Sequence, residues 1–306
     1  MAGTDETTSR RFAPLGENTA LPPGKVYFPA GFNELFSIWN SLDDADLYAG
    51  GTGHIRYSEA SAISRNIISL DKLEELQKIS RTERHIEIGS MVTLNKIIHL
   101  GKIVPEALIR CLEHIGGLQL RNLATIGGNI CNPKGNFDAS CPMVALDAQY
   151  ELRTEQSSRW ISASRFSSSD GPALGKRELL TRIRVPLEPW HFTWYRKFKS
   201  HGDDIYGGNI LFILRNQKNI LTGIRVVYSG QVILMEKNSE TLLVGKHLPL
   251  ERKFASAFVA SWKHYLSGIL GMENSIFSGK PGKYEPELVK TQILSFIETI
   301  IMRISE

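Results

Sequence analysis

Apolar and polar positions change rhythm several times along the chain. Phe32, Leu35, Phe36 and Trp39 recur at three- and four-residue intervals and predict a first amphipathic helix. Val26-Tyr27-Phe28 marks the start of regular structure, because residues 1–24 are rich in Thr, Ser, Gly and Pro and read as a flexible arm. Asp46 to Ala49 reads as a short strand, and His85 to Ile88 alternates polar and apolar residues as a strand closed by Gly89. Thr93 opens a short helix through Ile98. Pro105 takes the first position of the next, where its missing N–H costs nothing. Leu108, Ile109, Leu112 and Ile115 line that helix's buried face, and Gly116-Gly117 ends it. Met143 to Leu152 and Trp160-Ile161 read as strands, as do Ile183 to Pro186 and Thr193 to Tyr195. Beyond residue 200 the style changes. Asn209 to Leu214 and Gly223 to Tyr228 form antiparallel strands around a turn at Asn216 to Asn219. Two helices then follow, one marked by Phe254, Phe258 and Trp262 and one from Leu288 to Ile304, joined by a Gly/Pro/Lys loop at Gly279 to Pro286.

Composition narrows the function classes. The chain has 306 residues, 42% hydrophobic and 22% charged, as expected of a globular protein with room for two domains. A net charge of +4, with no basic cluster interleaved with aromatics, argues against nucleic acid. No apolar run approaches the roughly 20 residues of a membrane span, and the first residues lack a signal-peptide core. Cys111, Cys131 and Cys141 form no Cys-x-x-Cys pair, so neither a zinc knuckle nor a cysteine-ligated cluster is supported, and buried free thiols are expected. A cytoplasmic location is the expectation.

Candidate chemistry sits on two glycine pairs. Gly50-Gly51 precedes Thr52-Gly53-His54, and Gly127-Gly128 lies in Arg121-Asn122-Leu123-Ala124-Thr125-Ile126-Gly127-Gly128-Asn129-Ile130. Paired glycines let backbone N–H groups approach an anion, so two such loops suit the two phosphates of a dinucleotide. On that reading a Cβ at Gly127 or Gly128 fills space the pyrophosphate needs. The Gly-x-Gly-x-x-Gly fingerprint is absent, since Gly51 and Gly53 are followed by Arg56 at the third position. Gly175-Lys176-Arg177 is no Walker A motif, and no Gly-x-Ser-x-Gly elbow occurs. Thr52, Thr125 and Asn129 are candidates for phosphate or ribose oxygens, or else they cap local turns. Asp138 either accepts hydrogen bonds from sugar hydroxyls or caps a turn. His54 is either a cofactor contact or a surface residue. Arg196, Lys197 and Lys199 either face the cofactor or line a solvated strand.

The order of Ala49-Gly50-Gly51-Thr52, Ile86-Glu87-Ile88-Gly89 and the Arg121–Ile130 string resembles the FAD-binding medium subunits of molybdenum hydroxylases, the group that includes xanthine dehydrogenase and carbon monoxide dehydrogenase. Tyr27-Phe28-Pro29, Ile68-Ser69-Leu70, Asp138 with Pro142, and Leu243-Val244-Gly245 extend the similarity over about residues 26–250. The resemblance implies an α+β fold. A two-lobed FAD-binding domain of the vanillyl-alcohol-oxidase type spans 25–195, and a smaller domain of antiparallel sheet plus helices spans 196–306. It puts the first FAD loop on Leu47, Tyr48, Ala49, Gly50, Gly51, Thr52, Gly53 and His54, and the second on Thr125, Ile126, Gly127, Gly128 and Asn129. The flavin-loop aspartate falls on Asp138, apolar neighbours of the cofactor fall on Ile115 and Leu180, and a basic residue falls on Arg196 or Lys197. No catalytic acid, base, nucleophile or metal ligand is implied. The implied partners are a molybdopterin-containing large subunit and a 2Fe–2S small subunit, with electrons passing through FAD to an acceptor such as NAD and a purine such as xanthine as substrate of the complex. Two departures stand out: Gly53 replaces the family's aspartate, and Ser200 to Tyr206 lacks its arginines. They keep open a cofactor-free structural subunit, beside a stand-alone FAD-dependent reductase of the same fold.

Overall fold

A computed structural model describes residues 24–53, 66–132, 138–168, 171–198, 208–230, 232–270 and 286–306. His54, the arm before Gly24 and nearly all of the Gly279–Pro286 loop lie outside them.

The first lobe is a parallel sheet of β1 (Lys25–Tyr27), β2 (Asp46–Tyr48) and β3 (Asn66–Ser69) in the order β1-β3-β2. Parallel strands of one sheet need crossover connections. Helix α1 (Phe32–Ser41) supplies one between β1 and β2, burying Phe32, Leu35, Phe36 and Trp39 against Ile68, Leu73 and Leu76.

The second lobe is an antiparallel sheet of β4 (Ile79–Arg81), β5 (His85–Gly89), β6 (Gln149–Arg153), β7 (Ser158–Ser162) and the later β10, in the order β4-β5-β10-β6-β7. Five short helices accompany it: α2 (Leu94–Ile98), α3 (Glu106–Glu113), α4 (Leu118–Leu123), α5 (Ile126–Ile130) and α6 (Ser140–Ala145). Thr93 caps α2, and Pro105 is the N-cap residue of α3. The single strand expected over Met143–Leu152 is corrected here. Met143–Ala145 closes α6, Asp147 turns the chain at φ 54°, and β6 begins at Gln149. Both elements are buried, so their apolar run carries no period to tell helix from strand. Helix α7 (Ala163–Phe166) leads into a two-stranded ribbon of β8 (Ser167–Ser168) and β9 (Gly171–Pro172), and β10 (Leu179–Pro186) completes the main sheet.

The third sheet runs β11 (Phe192–Lys197), β12 (Asn209–Gln217), β13 (Ile220–Ser229) and β14 (Ile233–Leu234). Lys218 and Asn219 both take positive φ and join β12 to β13 by a two-residue turn, the type whose twist suits a hairpin. Alternation along β12 splits its side chains. Leu211 and Ile213 join the second lobe's core, whereas Ile210, Phe212 and Leu214 pack beneath α9 (Arg252–Leu270) and α10 (Pro286–Arg303). Helix α8 (Lys237–Leu243) closes the end of β13. The fold is α+β. All of β11 belongs to the third sheet, and the change of sheet comes between Pro186 and Phe192. Among the described residues no helix is long and apolar enough to cross a membrane.

Candidate cofactor-binding site

Strand β2 delivers Leu47 and Tyr48 to the first glycine loop. Gly51 turns at φ +69°, a conformation that glycine adopts without a Cβ penalty. At Gly50 the constraint is contact: a Cβ there would lie 1.8 Å from the carbonyl oxygen of Leu123, the last residue of α4. Only a glycine lets the two backbones meet so closely. Beyond it Thr52 and Gly53 take helical backbone. A Cβ on Gly53 would sit 3.4 Å from Asn132 Nδ2, just past α5. The first loop is therefore packed at Gly50 against the residues that lead into the second.

The second loop works differently from expectation. Its backbone donors already have protein acceptors: Ile126 N on Val92 O at 3.0 Å, Gly127 N on Ser90 O at 2.9 Å, Gly128 N on Thr125 Oγ1 at 3.1 Å and Asn129 N on Thr125 O at 3.0 Å. Thr125 is thus the N-cap of α5, the local role held open above. A Cβ at Gly127 would meet Ser90 Cβ at 2.6 Å, so that glycine admits Ser90 rather than leaving space for a pyrophosphate. Gly128 is the open position, with only the Thr125 hydroxyl in reach of a Cβ among the described residues. Asn129 Oδ1 accepts from Ala139 N at 3.0 Å and ties the loop to the Asp138 turn. Arg121 folds back, its Nη1 donating to Glu113 O at 2.9 Å and Gly116 O at 2.6 Å, and so caps α3.

Asp138 lies just ahead of α6 and is 9% exposed. Lys197 Nζ stands 3.0 Å from both carboxylate oxygens, and Asn209 Nδ2 donates to Oδ1 at 3.1 Å. Lys197 also donates to His114 O at 3.3 Å, at the end of α3. Arg196 points the other way along β11 and lies over the Phe296 ring at 5.4 Å, so of the two cations only Lys197 joins Asp138. Tyr195 packs on His114 at 4.9 Å, and its buried hydroxyl has no partner among the described residues. Burial, with Cys111 and Asp138 beside it, raises that phenol's pKa well above the usual range. Ile115 and Leu180 sit in the second lobe's core, Ala49 at the edge of the first. All three cysteines are free, and burial pushes the Cys111 and Cys141 thiols well up and Cys131 to about 12. Such thiols stay protonated at neutral pH and offer no nucleophile. Sequence reasoning missed Asn209 and Ser90. The available signal for Asn209 was an amide opening an otherwise apolar strand, Ile210 to Leu214.

A model of the family described as the FAD binding domain in molybdopterin dehydrogenase matches residues 21–188, more than half of the chain. The chain belongs to this family. It is the FAD-binding component of an oxidoreductase. The glyceraldehyde dehydrogenase medium chain of Sulfolobus acidocaldarius is 26% identical over 242 residues, covering 74% of this chain and 83% of that one. The xanthine dehydrogenase FAD-binding subunit of Escherichia coli O157:H7 is 31% identical over 160 residues, 51% of this chain and 55% of its own length, so the match spans about half of that relative. Among solved structures, a chain of the Cu,Mo-CO dehydrogenase in its cyanide-inactivated form shares the fold with a TM-score of 0.75 at 22% identity, covering 93% of this chain and 99% of that one.

FAD fits these residues. The family's cofactor carries a diphosphate, and the paired loops supply a left-handed glycine at Gly51 and, at Gly128, a position where only the Thr125 hydroxyl lies close among the described residues. Asp138 offers an ionisable acceptor for a hydroxyl-bearing chain, with two neighbours already holding it.

Proposed function

We propose that this chain is the electron-transfer medium subunit of a heteromeric molybdenum hydroxylase, assembled with a molybdopterin-containing large subunit and a 2Fe–2S small subunit. The observation that supports the reading is the seating of Gly50 on the Leu123 carbonyl, which brings two glycine loops distant in sequence close together. Bound FAD supplies a group that takes electrons singly from iron–sulfur centres and passes them on in pairs to an acceptor such as NAD. The chain's own residues bind and orient it. Thr52, Gly53 and the Asn129 side-chain amide hold the diphosphate, Gly128 leaves the face beside them bare, and Leu47, Tyr48, Ala49, Gly50, Gly51, Thr125, Ile126 and Gly127 build the loops beneath. Asp138 accepts from the ribityl hydroxyls, and Ile115 and Leu180 give the ring an apolar boundary. The E. coli relative's name supports a purine such as xanthine as the substrate of the complex. A cytoplasmic location fits the free cysteines.

Co-expression of the tagged full chain with candidate large and small subunits tests this. The expected result is co-purification of both, with bound flavin bleached by the hydroxylase substrate only when both are present. A chain that co-purifies with them yet holds no flavin under excess FAD overturns the reading and leaves a cofactor-free structural subunit.

A further inference from the structure

We propose that Lys197 and Asn209 form one clamp through which the C-terminal sheet fixes Asp138 in the orientation that FAD binding needs. This rests on the reading of Asp138 as the ribityl-facing carboxylate. Lys197 and Asn209 are direct partners across the β11–β12 ladder, so their side chains leave the sheet side by side on the same face. Both end on one carboxylate, at 3.0 and 3.1 Å. An ionised carboxylate has about four acceptor positions, so this grip leaves room for a ligand hydroxyl. The same ammonium holds the end of α3 through His114 O. The residue after Asp138 donates to Asn129 of the second glycine loop. Hydrogen bonds on the adjacent residues Asp138 and Ala139 thus tie the second glycine loop to the third sheet.

The composition of the clamp points to orientation rather than stability. Asn209 is fully buried, and its Oδ1 has no partner among the described residues. A buried amide so incompletely satisfied costs free energy that an apolar residue would avoid. Ion pairs at such half-buried positions add little to stability, since desolvation offsets the attraction. What the pair does supply is a direction for the Asp138 side chain. Lys197 and Asn209 are therefore positioning residues, acting on the cofactor through Asp138.

The test uses the full chain and FAD itself, with affinity read from quenching of flavin fluorescence and integrity from thermal melting. Asn209→Leu and Lys197→Met are each expected to weaken FAD binding about 10- to 100-fold, and Lys197→Arg to recover most of the loss. The Asp138→Asn/Lys197→Met double variant is expected to lose no more than the worse single one, the signature of two groups acting as a unit. Lys197 is only partly buried, so K197M reports even where N209L does not fold. Wild-type affinity in K197M, with a lowered melting temperature, would make the clamp merely structural and overturn the proposal. Additive losses would also overturn it, because Lys197 would then meet FAD directly. A wild-type chain that binds no FAD even with its partners present refutes the underlying reading instead, a result distinct from variants that match a binding wild type.

Discussion

Replacing Gly50 with alanine puts a methyl group 1.8 Å from the Leu123 carbonyl oxygen and 2.7 Å from its carbon. Real Cβ atoms essentially never approach within 3.0 Å, so the two backbones must part by about 1.2 Å. No rotamer can relieve the clash, because the obstacle is main chain. Overpacking of this kind typically costs about 1–3 kcal/mol, which lowers the melting temperature by roughly 2–4 °C per kcal/mol in a chain of this size. The same movement separates the first loop from the second, and FAD affinity is expected to fall at least about tenfold, since a misplacement near 1 Å disrupts a preorganised site. Gly128→Ala is the matched comparison. Its methyl meets only the Thr125 hydroxyl, at 2.9 Å. The small cost at that cap is offset by better helix propensity, so stability should stay within about 1 kcal/mol of wild type. FAD affinity should nevertheless drop, because the methyl occupies the open face. Thermal melts and FAD titrations on both variants decide the matter. A Gly50→Ala protein that melts and binds like wild type would refute the loop contact, and a Gly128→Ala protein with full affinity would take that face out of the site.

Three further outcomes follow from the geometry. Gly127→Ala should destabilise the fold with or without FAD, by about 1–3 kcal/mol, because its methyl runs into Ser90 at 2.6 Å; equal denaturant midpoints for variant and wild type would contradict this. Glu240 is held by burial with its pKa up near 7, so the folded state keeps a proton that the unfolded chain gives up. Its favourable contribution is complete below the unfolded carboxylate pKa of about 4.5 and disappears as pH rises through 7. Glu240→Gln should therefore match wild type near pH 4.5 and exceed it at pH 8, by about 1–2 kcal/mol after allowance for partial exposure; a pH-independent difference in urea unfolding would contradict this. Cys111 and Cys141 should resist alkylation at neutral pH until the chain unfolds, as mass spectrometry of iodoacetamide-treated protein would show, and rapid native labelling would overturn their assignment as buried, protonated thiols.

Much of the fold was legible where one face meets water. The stripe of α1 and the alternation of β5 carry clear periods, and these elements lie where they were expected. The period fails inside the second lobe, where α6 and β6 are buried and only Asp147 at positive φ marks the joint. Both glycine pairs were visible as sites of close approach, but sequence does not say what approaches. At Gly127 it is Ser90, and at Gly50 it is Leu123. Asp138 was legible as a candidate. Its two partners were not, because Asn209 becomes a neighbour of Lys197 only through the pairing of β11 with β12. The choice between Arg196 and Lys197 likewise depends on which face of β11 turns towards Asp138, and sheet packing decides it.

On the proposed function, the two glycine loops form one FAD site. The most direct measurement is the visible absorption spectrum of the full chain during titration with FAD, followed by dithionite. The expected result is a saturable, protein-bound flavin spectrum that bleaches on reduction and that Gly128→Ala weakens while the chain stays folded. A wild-type chain that leaves the spectrum of free FAD unchanged at saturating concentration, alone and with its partner subunits, would contradict it.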